Sequence, residues 1–164
     1  MSYRVGTGFD IHRLVAGREL VLGGVRIPHS KGLLGHSDGD VIIHAICDAI
    51  LGALARGDIG QHFPDSSEET LGMNSLEMLK IIIEEVSAEY RIVNIDVNCI
   101  CEQPKLSAYR NDMTTTIADT CGIVSDMVSV KFRTHEGLGE IGRSEAISAQ
   151  VVVLVHKHRD QEEE

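Results

Sequence analysis

Residues 38–57 read DGDVIIHAICDAILGALARG. Apolar side chains at 42, 43, 46, 50, 51 and 54 recur at the three-to-four-residue spacing of one helix face. Asp38 or Asp40 stands where an N-cap belongs and Gly57 where a helix stops, so the stretch predicts the principal helix. Upstream, residues 3–11, 19–23 and 25–28 read as strands, the last two meeting around a Gly-Gly pair as in a hairpin. Downstream, NSLEMLKIIIEEVSAEY (74–90) predicts a second helix capped by Asn74 or Ser75, and LSAYRNDMTTTIADTCG (106–122) a third closed by Gly122. Between them RIVNIDVNCICEQ (91–103) alternates as a strand does, and MVSVKFRT (127–134) and EAISAQVVVLVHK (145–157) read as two more. The order β-β-β-α-α-β-α-β-β predicts an α+β fold with a single layer of helices packed on one mixed β-sheet.

A chain of 164 residues is about one domain long, and folding at that size buries roughly 68–70% of the surface of the unfolded chain. Residues 1–158 are expected to form that domain and 159–164 a flexible acidic tail. With 4% aromatic residues and no Trp, the core must be aliphatic. Lys and Arg number 15 against 25 Asp and Glu, a net charge of -10, which argues against a nucleic-acid footprint. An anionic ligand would need bound metal ions, a few placed cations or helix N-termini. Cys47, Cys99, Cys101 and Cys121 show no C-x-x-C spacing, which predicts reduced thiols in a cytosolic setting, with Cys99 and Cys101 as packing residues. Apolar runs fall far short of the roughly 18 residues that span a bilayer, and MSYRVGTGFD leaves no room for a leader before the first strand, so a soluble protein with no membrane partner is expected.

The chemistry begins at GFDIHRL, residues 8–14. Strand alternation sets Val5, Phe9 and Ile11 on one side and Asp10 and His12 on the other, so a carboxylate and an imidazole stand together. In HSDGDVIIHA, residues 36–45, His44 lies one helical turn after Asp40. Asp10, His12 and His44 together make a tetrahedral zinc site with one position vacant, as catalytic sites have. Helix capping by an Asp and a core role for His44 are the plainer alternatives. In KFRTHEGLGEIGR, residues 131–143, Glu136 could offer oxygen to a harder second ion, Mg2+ or Mn2+, while Thr134 and Arg143 could contact phosphate oxygens. The segment DIGQHFPD, residues 58–65, offers backbone N–H groups and carboxylates to a polar substrate. His156 and His158 read as part of a solvated end, with a metal pair as the alternative.

From GTGFDIHRL through LGGVRIP, KGLLGHSDGDVIIHAICDAILGALARGDIGQHFPD and CEQPKLS to VKFRTHEGLGEIGR, nearly the whole chain resembles the 2-C-methyl-D-erythritol 2,4-cyclodiphosphate synthase family. The resemblance implies an intramolecular phosphoryl transfer in non-mevalonate isoprenoid biosynthesis. The 2-phosphate of 4-diphosphocytidyl-2-C-methyl-D-erythritol 2-phosphate attacks the β-phosphorus, expels CMP and closes a cyclic diphosphate. It implies Asp10, His12 and His44 as zinc ligands, a phosphate oxygen filling the fourth position, and Glu136 beside the second divalent ion. It assigns His36 and Thr134 to transition-state support and Ser37 to substrate contact. Asp58, Ile59 and Gly60, with Phe63, Pro64, Asp65 and onward to Ser67, match the loop that holds the erythritol unit. Cys101, Glu102, Gln103, Pro104, Lys105, Leu106 and Ser107 match the segment gripping the cytidine and its diphosphate, and Arg133, His135 and Arg143 complete the substrate-binding set. Arg133, Thr134, His135 and Glu136 stand where many members carry Thr-Thr-x-Glu, and Glu140 where many carry Phe. Homotrimers with active sites between subunits are implied, in a bacterial cytoplasm or a plastid stroma. A zinc-dependent phosphohydrolase and a non-catalytic, metal-stabilised trimeric binding module are the competing readings.

Overall fold

In a computed structural model, which describes residues 2–64 and 72–158, the frame is set by β1 (Tyr3–Ala16), five residues longer than its sequence signal. Asp65 to Ser67 and the tail 159–164 lie outside the described residues. β1 pairs antiparallel with β7 (Ala146–Lys157) along most of its length, and its end pairs with β4 (Lys31–Leu33). The main sheet runs β4-β1-β7-β5-β6, with β5 (Tyr90–Ile100) antiparallel to β7 but parallel to β6 (Val128–Arg133). A parallel pair needs a crossover, and α4 (Arg110–Cys121) supplies it. The sheet is therefore mixed, as expected.

The expectation of one sheet needs a correction. β2 (Leu20–Leu22) and β3 (Val25–Ile27) pair only with each other. Their turn, Gly23 and Gly24, has φ of 58° and 76°, conformations open to glycine. The two turn N–H groups donate to Asp40 Oδ1 and Oδ2 at 2.9 and 2.7 Å, docking the hairpin on a helix terminus.

That terminus belongs to α1 (Val41–Ala53), whose N-cap is Asp40. Asp40 also accepts from Ile42 N and Ile43 N, so one buried carboxylate satisfies four N–H groups. Burial pushes this carboxyl up, and the N–H donors pull against the shift. α1 ends at Ala53, earlier than Gly57, because Ala55 turns left-handed at φ 56°. Asn74 caps α3 (Ser75–Ser87), and left-handed Gly122 ends α4. Periods of 3.6 cannot show in one-turn helices, and α2 (Ile59–His62) and α5 (Gly139–Gly142) have only four residues each.

α1 lies over β1 and β7, and α3 and α4 continue the layer toward β5 and β6. Ile42, Ile46, Ile50, Leu51, Ile95, Val97, Val151 and Val153 are fully buried between the layers. β1 presents its small and polar side to α1: Gly6 and Gly8 are buried, and a Cβ on either would fall far inside contact with Ala49 or Ala45 carbonyl oxygens. Its apolar side, Tyr3, Val5, Phe9 and Ile11, stays exposed on the bare face, Val5 at 67% and Phe9 at 59%.

Candidate active site

α1 is buried on every side except the stripe His44, Asp48, Gly52, three positions spaced by four. The stripe opens beside Asp10 and His12, which β1 directs to the same face two residues beyond Gly8. Asp10 Oδ2 lies 3.1 Å from His12 Nε2 and 3.0 Å from His44 Nδ1, and the imidazole rings meet edge to face at 5.5 Å. One potential ligand atom from each of the three residues falls within 4.8 Å of the others. The expected ligand set thus converges from a strand and a helix.

The protonation of His12 follows from its far nitrogen. Nδ1 is 2.6 Å from the Leu34 carbonyl oxygen, which can only accept, so Nδ1 carries a proton, and in the neutral ring that binds a metal Nε2 keeps its lone pair on the Asp10 side. A ring lone pair against a carboxylate oxygen sets acceptor against acceptor unless positive charge stands between them. When the rings are protonated they serve instead as donors: burial raises the Asp10 pKa, but hydrogen bonds and charge from His12 and His44 prevail and hold it well below the usual carboxylate range. The donor set of two imidazole nitrogens and a carboxylate oxygen suits a divalent transition ion.

The three residues open on a cavity of about 320 Å3 lined also by Gly35, His36, Ser37, Asp48, Ile59, Gly60, Phe63 and Met78. His36 Nε2 is buried with no hydrogen-bond partner among the described residues. Arg18 holds the loop bearing His36 and Ser37, donating to the Gly35 and Ser37 carbonyls at 3.1 and 2.6 Å. Asp58 is a cap rather than part of the wall: it accepts from Gln61 N at 3.0 Å and Gln61 Nε2 at 2.8 Å at the start of α2. Asp48, which sequence reasoning passed over, accepts from Ile59 N at 2.7 Å and has its pKa raised by burial. Its position four residues after His44 was the available signal.

The remaining candidates gather elsewhere. Cys101 to Ser107, Phe132, Arg133 and Thr134 line a second cavity of about 280 Å3 at the ends of β5 and β6. Burial pushes the Cys101 thiol up to about 12, and it donates to Gln103 O at 3.1 Å, so it is a neutral packing group. Glu102 receives the His135 N–H at 3.1 Å, and Thr134 Oγ1 donates to Glu136 Oε1 at 2.6 Å. Glu136 sits at φ 51°, a conformation unusual for a residue with a side chain. Arg143 lines neither cavity and is held by Glu145 at 2.9 Å and Glu140 at 3.7 Å.

Strand register relates the two cavities. Asp10 is opposite Ala149, Ala149 opposite Cys99, and Cys99 opposite Phe132, so both lie at the same end of the sheet. Three strand steps separate them, roughly 14 Å.

The family model for the YgbB family matches residues 3–156. The chain belongs to the YgbB family. A curated relative from Syntrophomonas wolfei subsp. wolfei, named 2-C-methyl-D-erythritol 2,4-cyclodiphosphate synthase, is 52% identical over 94% of this chain and 99% of its own length. Among solved structures, IspF from Plasmodium falciparum in complex with CDP is 37% identical with a TM-score of 0.85, covering 96% of this chain and 98% of that one. The bifunctional IspDF of Campylobacter jejuni is 38% identical with a TM-score of 0.91, covering 97% of this chain, which spans 43% of that longer protein. The fold of this chain is thus similar to that of IspF over nearly its whole length, and no helix among its described residues is long and apolar enough to cross a membrane.

Proposed function

We infer that this chain converts 4-diphosphocytidyl-2-C-methyl-D-erythritol 2-phosphate into 2-C-methyl-D-erythritol 2,4-cyclodiphosphate and CMP, as an enzyme of isoprenoid biosynthesis. The observation that carries the reading is the convergence of Asp10, His12 and His44 beside a cavity, in a chain 52% identical to a synthase of that name. Phosphoryl transfer asks a protein mainly to position groups and neutralise charge. Nucleophile and electrophile are parts of one substrate here, so orientation can contribute up to roughly 7–11 kcal/mol.

Asp10, His12 and His44 would hold Zn2+, which supplies Lewis-acid polarisation of a phosphoryl oxygen when bound. The wall of Ile59, Gly60 and Phe63 would take the erythritol unit, with Pro64 and Asp65 continuing the loop. His36, with its unpartnered nitrogen, and Ser37 suit polar contacts to the transferring phosphates. Cys101 to Ser107, with Lys105 as the cation, would receive the cytidine diphosphate half, and the carboxylate of Glu136 would take Mg2+ or Mn2+ beside Thr134. Arg133 lines that second cavity and His135 is tied by its N–H to Glu102 in the wall, whereas Arg143 would have to leave Glu145 to meet phosphate.

The two half-sites are too far apart on one chain to share a single phosphate, which favours a homotrimer with each site built from two neighbours. The exposed stripe of Tyr3, Val5, Phe9 and Ile11 on the bare face is the kind of surface such an assembly covers. Bacterial relatives favour a cytoplasmic setting. Incubation with the cytidyl substrate and divalent metal should release CMP without inorganic phosphate, seen by phosphorus NMR. Inorganic phosphate as the product would favour the phosphohydrolase, and no turnover a binding module.

Site sharing has its own test. His44→Ala and Glu136→Gln variants, each inactive, are dissociated and reassembled together. Random mixing leaves about a quarter of the sites with both halves intact, so about a quarter of full activity should return. No recovery in a verified mixed trimer would mean that both halves come from one chain.

A further inference from the structure

Behind His44 stand Ser75 and Asp38, which belong to neither the ligand set nor the cavity wall. His44 Nε2, on the side of the ring away from Asp10, lies 2.9 Å from Ser75 Oγ and 3.1 Å from Ser37 Oγ. Ser75 is fully buried at the first position of α3, 31 residues along the chain. Its hydroxyl and its backbone N–H both meet the Asp38 carboxylate, the hydroxyl in a short hydrogen bond to Oδ1 and the N–H at 3.1 Å to Oδ2. A third donor, Asp40 N, reaches Asp38 Oδ1 at 3.2 Å.

The directions of these bonds are forced. An ionised carboxylate only accepts, so the single hydroxyl proton of Ser75 is committed to Asp38. Toward His44 the Ser75 oxygen can then only accept, and Nε2 must be the protonated nitrogen. In the neutral ring, the form a metal ligand takes, Nδ1 is thereby left with its lone pair on the side of Asp10 Oδ2. We infer that Asp38 and Ser75 are positioning residues, a carboxylate–hydroxyl relay that fixes the tautomer and ring angle of His44 for metal binding. His12 has the simpler version, a backbone carbonyl on its far nitrogen.

The relay ties the metal centre to two helix termini at once. Asp38 sits in the loop that Asp40 closes over α1, and Ser75 opens α3. Asp38 is therefore not the cap that its sequence position suggests; Asp40 takes that task, and Asp38 faces the neighbouring helix.

The inference rests on the zinc reading of Asp10, His12 and His44, and zinc affinity measured by chelator competition on the full chain tests it. Ser75→Ala should weaken zinc roughly 10- to 100-fold, as loss of an outer-shell partner does, whereas Ser75→Thr, which keeps a hydroxyl, should stay within about threefold. With Co2+ in place of zinc, the visible absorption band should shift in Ser75→Ala and return in Ser75→Thr, a signature that mere loosening of α3 would not produce. Asp38→Asn, which keeps the shape and removes the acceptor-only anion, should also weaken zinc, and it decides the matter if Ser75→Ala does not fold. Wild-type zinc affinity in either folded variant would overturn the relay. An unaltered chain that binds neither zinc nor Co2+ would overturn the ligand assignment itself, a different and separable failure.

Discussion

His44→Ala is expected to lose bound zinc and turnover together while the protein stays folded. Two ligands remain, the His12 imidazole and the Asp10 carboxylate, and the carboxylate loses its contact with His44. A three-ligand site reduced to two loses the geometry that selects a tetrahedral ion. The Lewis-acid contribution at a transferring phosphoryl group is several kcal/mol, and each 1.36 kcal/mol is tenfold in rate, so turnover should fall by roughly 1000-fold or more. Stability should fall by about 1–3 kcal/mol, because the His44 side chain is only 12% exposed and its loss leaves Asp10, Ser37 and Ser75 each one hydrogen-bond partner short, though the aliphatic packing of α1 is untouched and alanine is the better helix former. Zinc by atomic absorption, CMP release and the thermal unfolding midpoint measure the three parts separately. Unchanged zinc content in a folded variant would remove His44 from the site.

The sequence reveals α1 because ten of its thirteen residues are buried and the three that are not recur every four positions. The same spacing points to Asp48, one turn beyond His44 on that stripe. β1 is different. Its alternation is plain, yet hydrophobicity alone would bury Val5, Phe9 and Ile11, and those are the exposed ones. What attracts α1 is the absence of side chains at Gly6 and Gly8, where backbone meets backbone, and a hydropathy pattern assigns no weight to that.

The longer-range features had no local signal at all. Ser75 meets His44 across 31 residues, and nothing in NSLEML distinguishes a capping-region serine from one in a relay. Nor can spacing show that the candidates from β1 and α1 lie apart from those of β5 and β6. Their separation arises because β7, last in sequence, inserts between β1 and β5 and so stands between the two groups. Motifs identify which residues act; strand order decides which of them one chain can bring together.

Gly8→Ala tests the contact on which the site depends. The added Cβ would collide with the carbonyl oxygen of Ala45, an atom of the α1 backbone that cannot rotate away. Strand and helix must then move apart, and overpacking of this kind costs about 1–3 kcal/mol or more, so the unfolding midpoint should drop by roughly 2–12 °C. The damage should extend to metal binding, because Asp10 lies two residues along the same strand face and His44 adjoins Ala45 on the helix. Ligand distances of about 2 Å leave little tolerance for a widened gap. Gly52→Ala is the matched control: its Cβ would find only Thr7 O, at an ordinary 3.8 Å, so the same substitution inside α1 should stabilise by about 0.5–1 kcal/mol and leave zinc in place. If Gly8→Ala retained both the wild-type midpoint and wild-type zinc affinity, the close approach of β1 to α1 would not be what sets the metal centre.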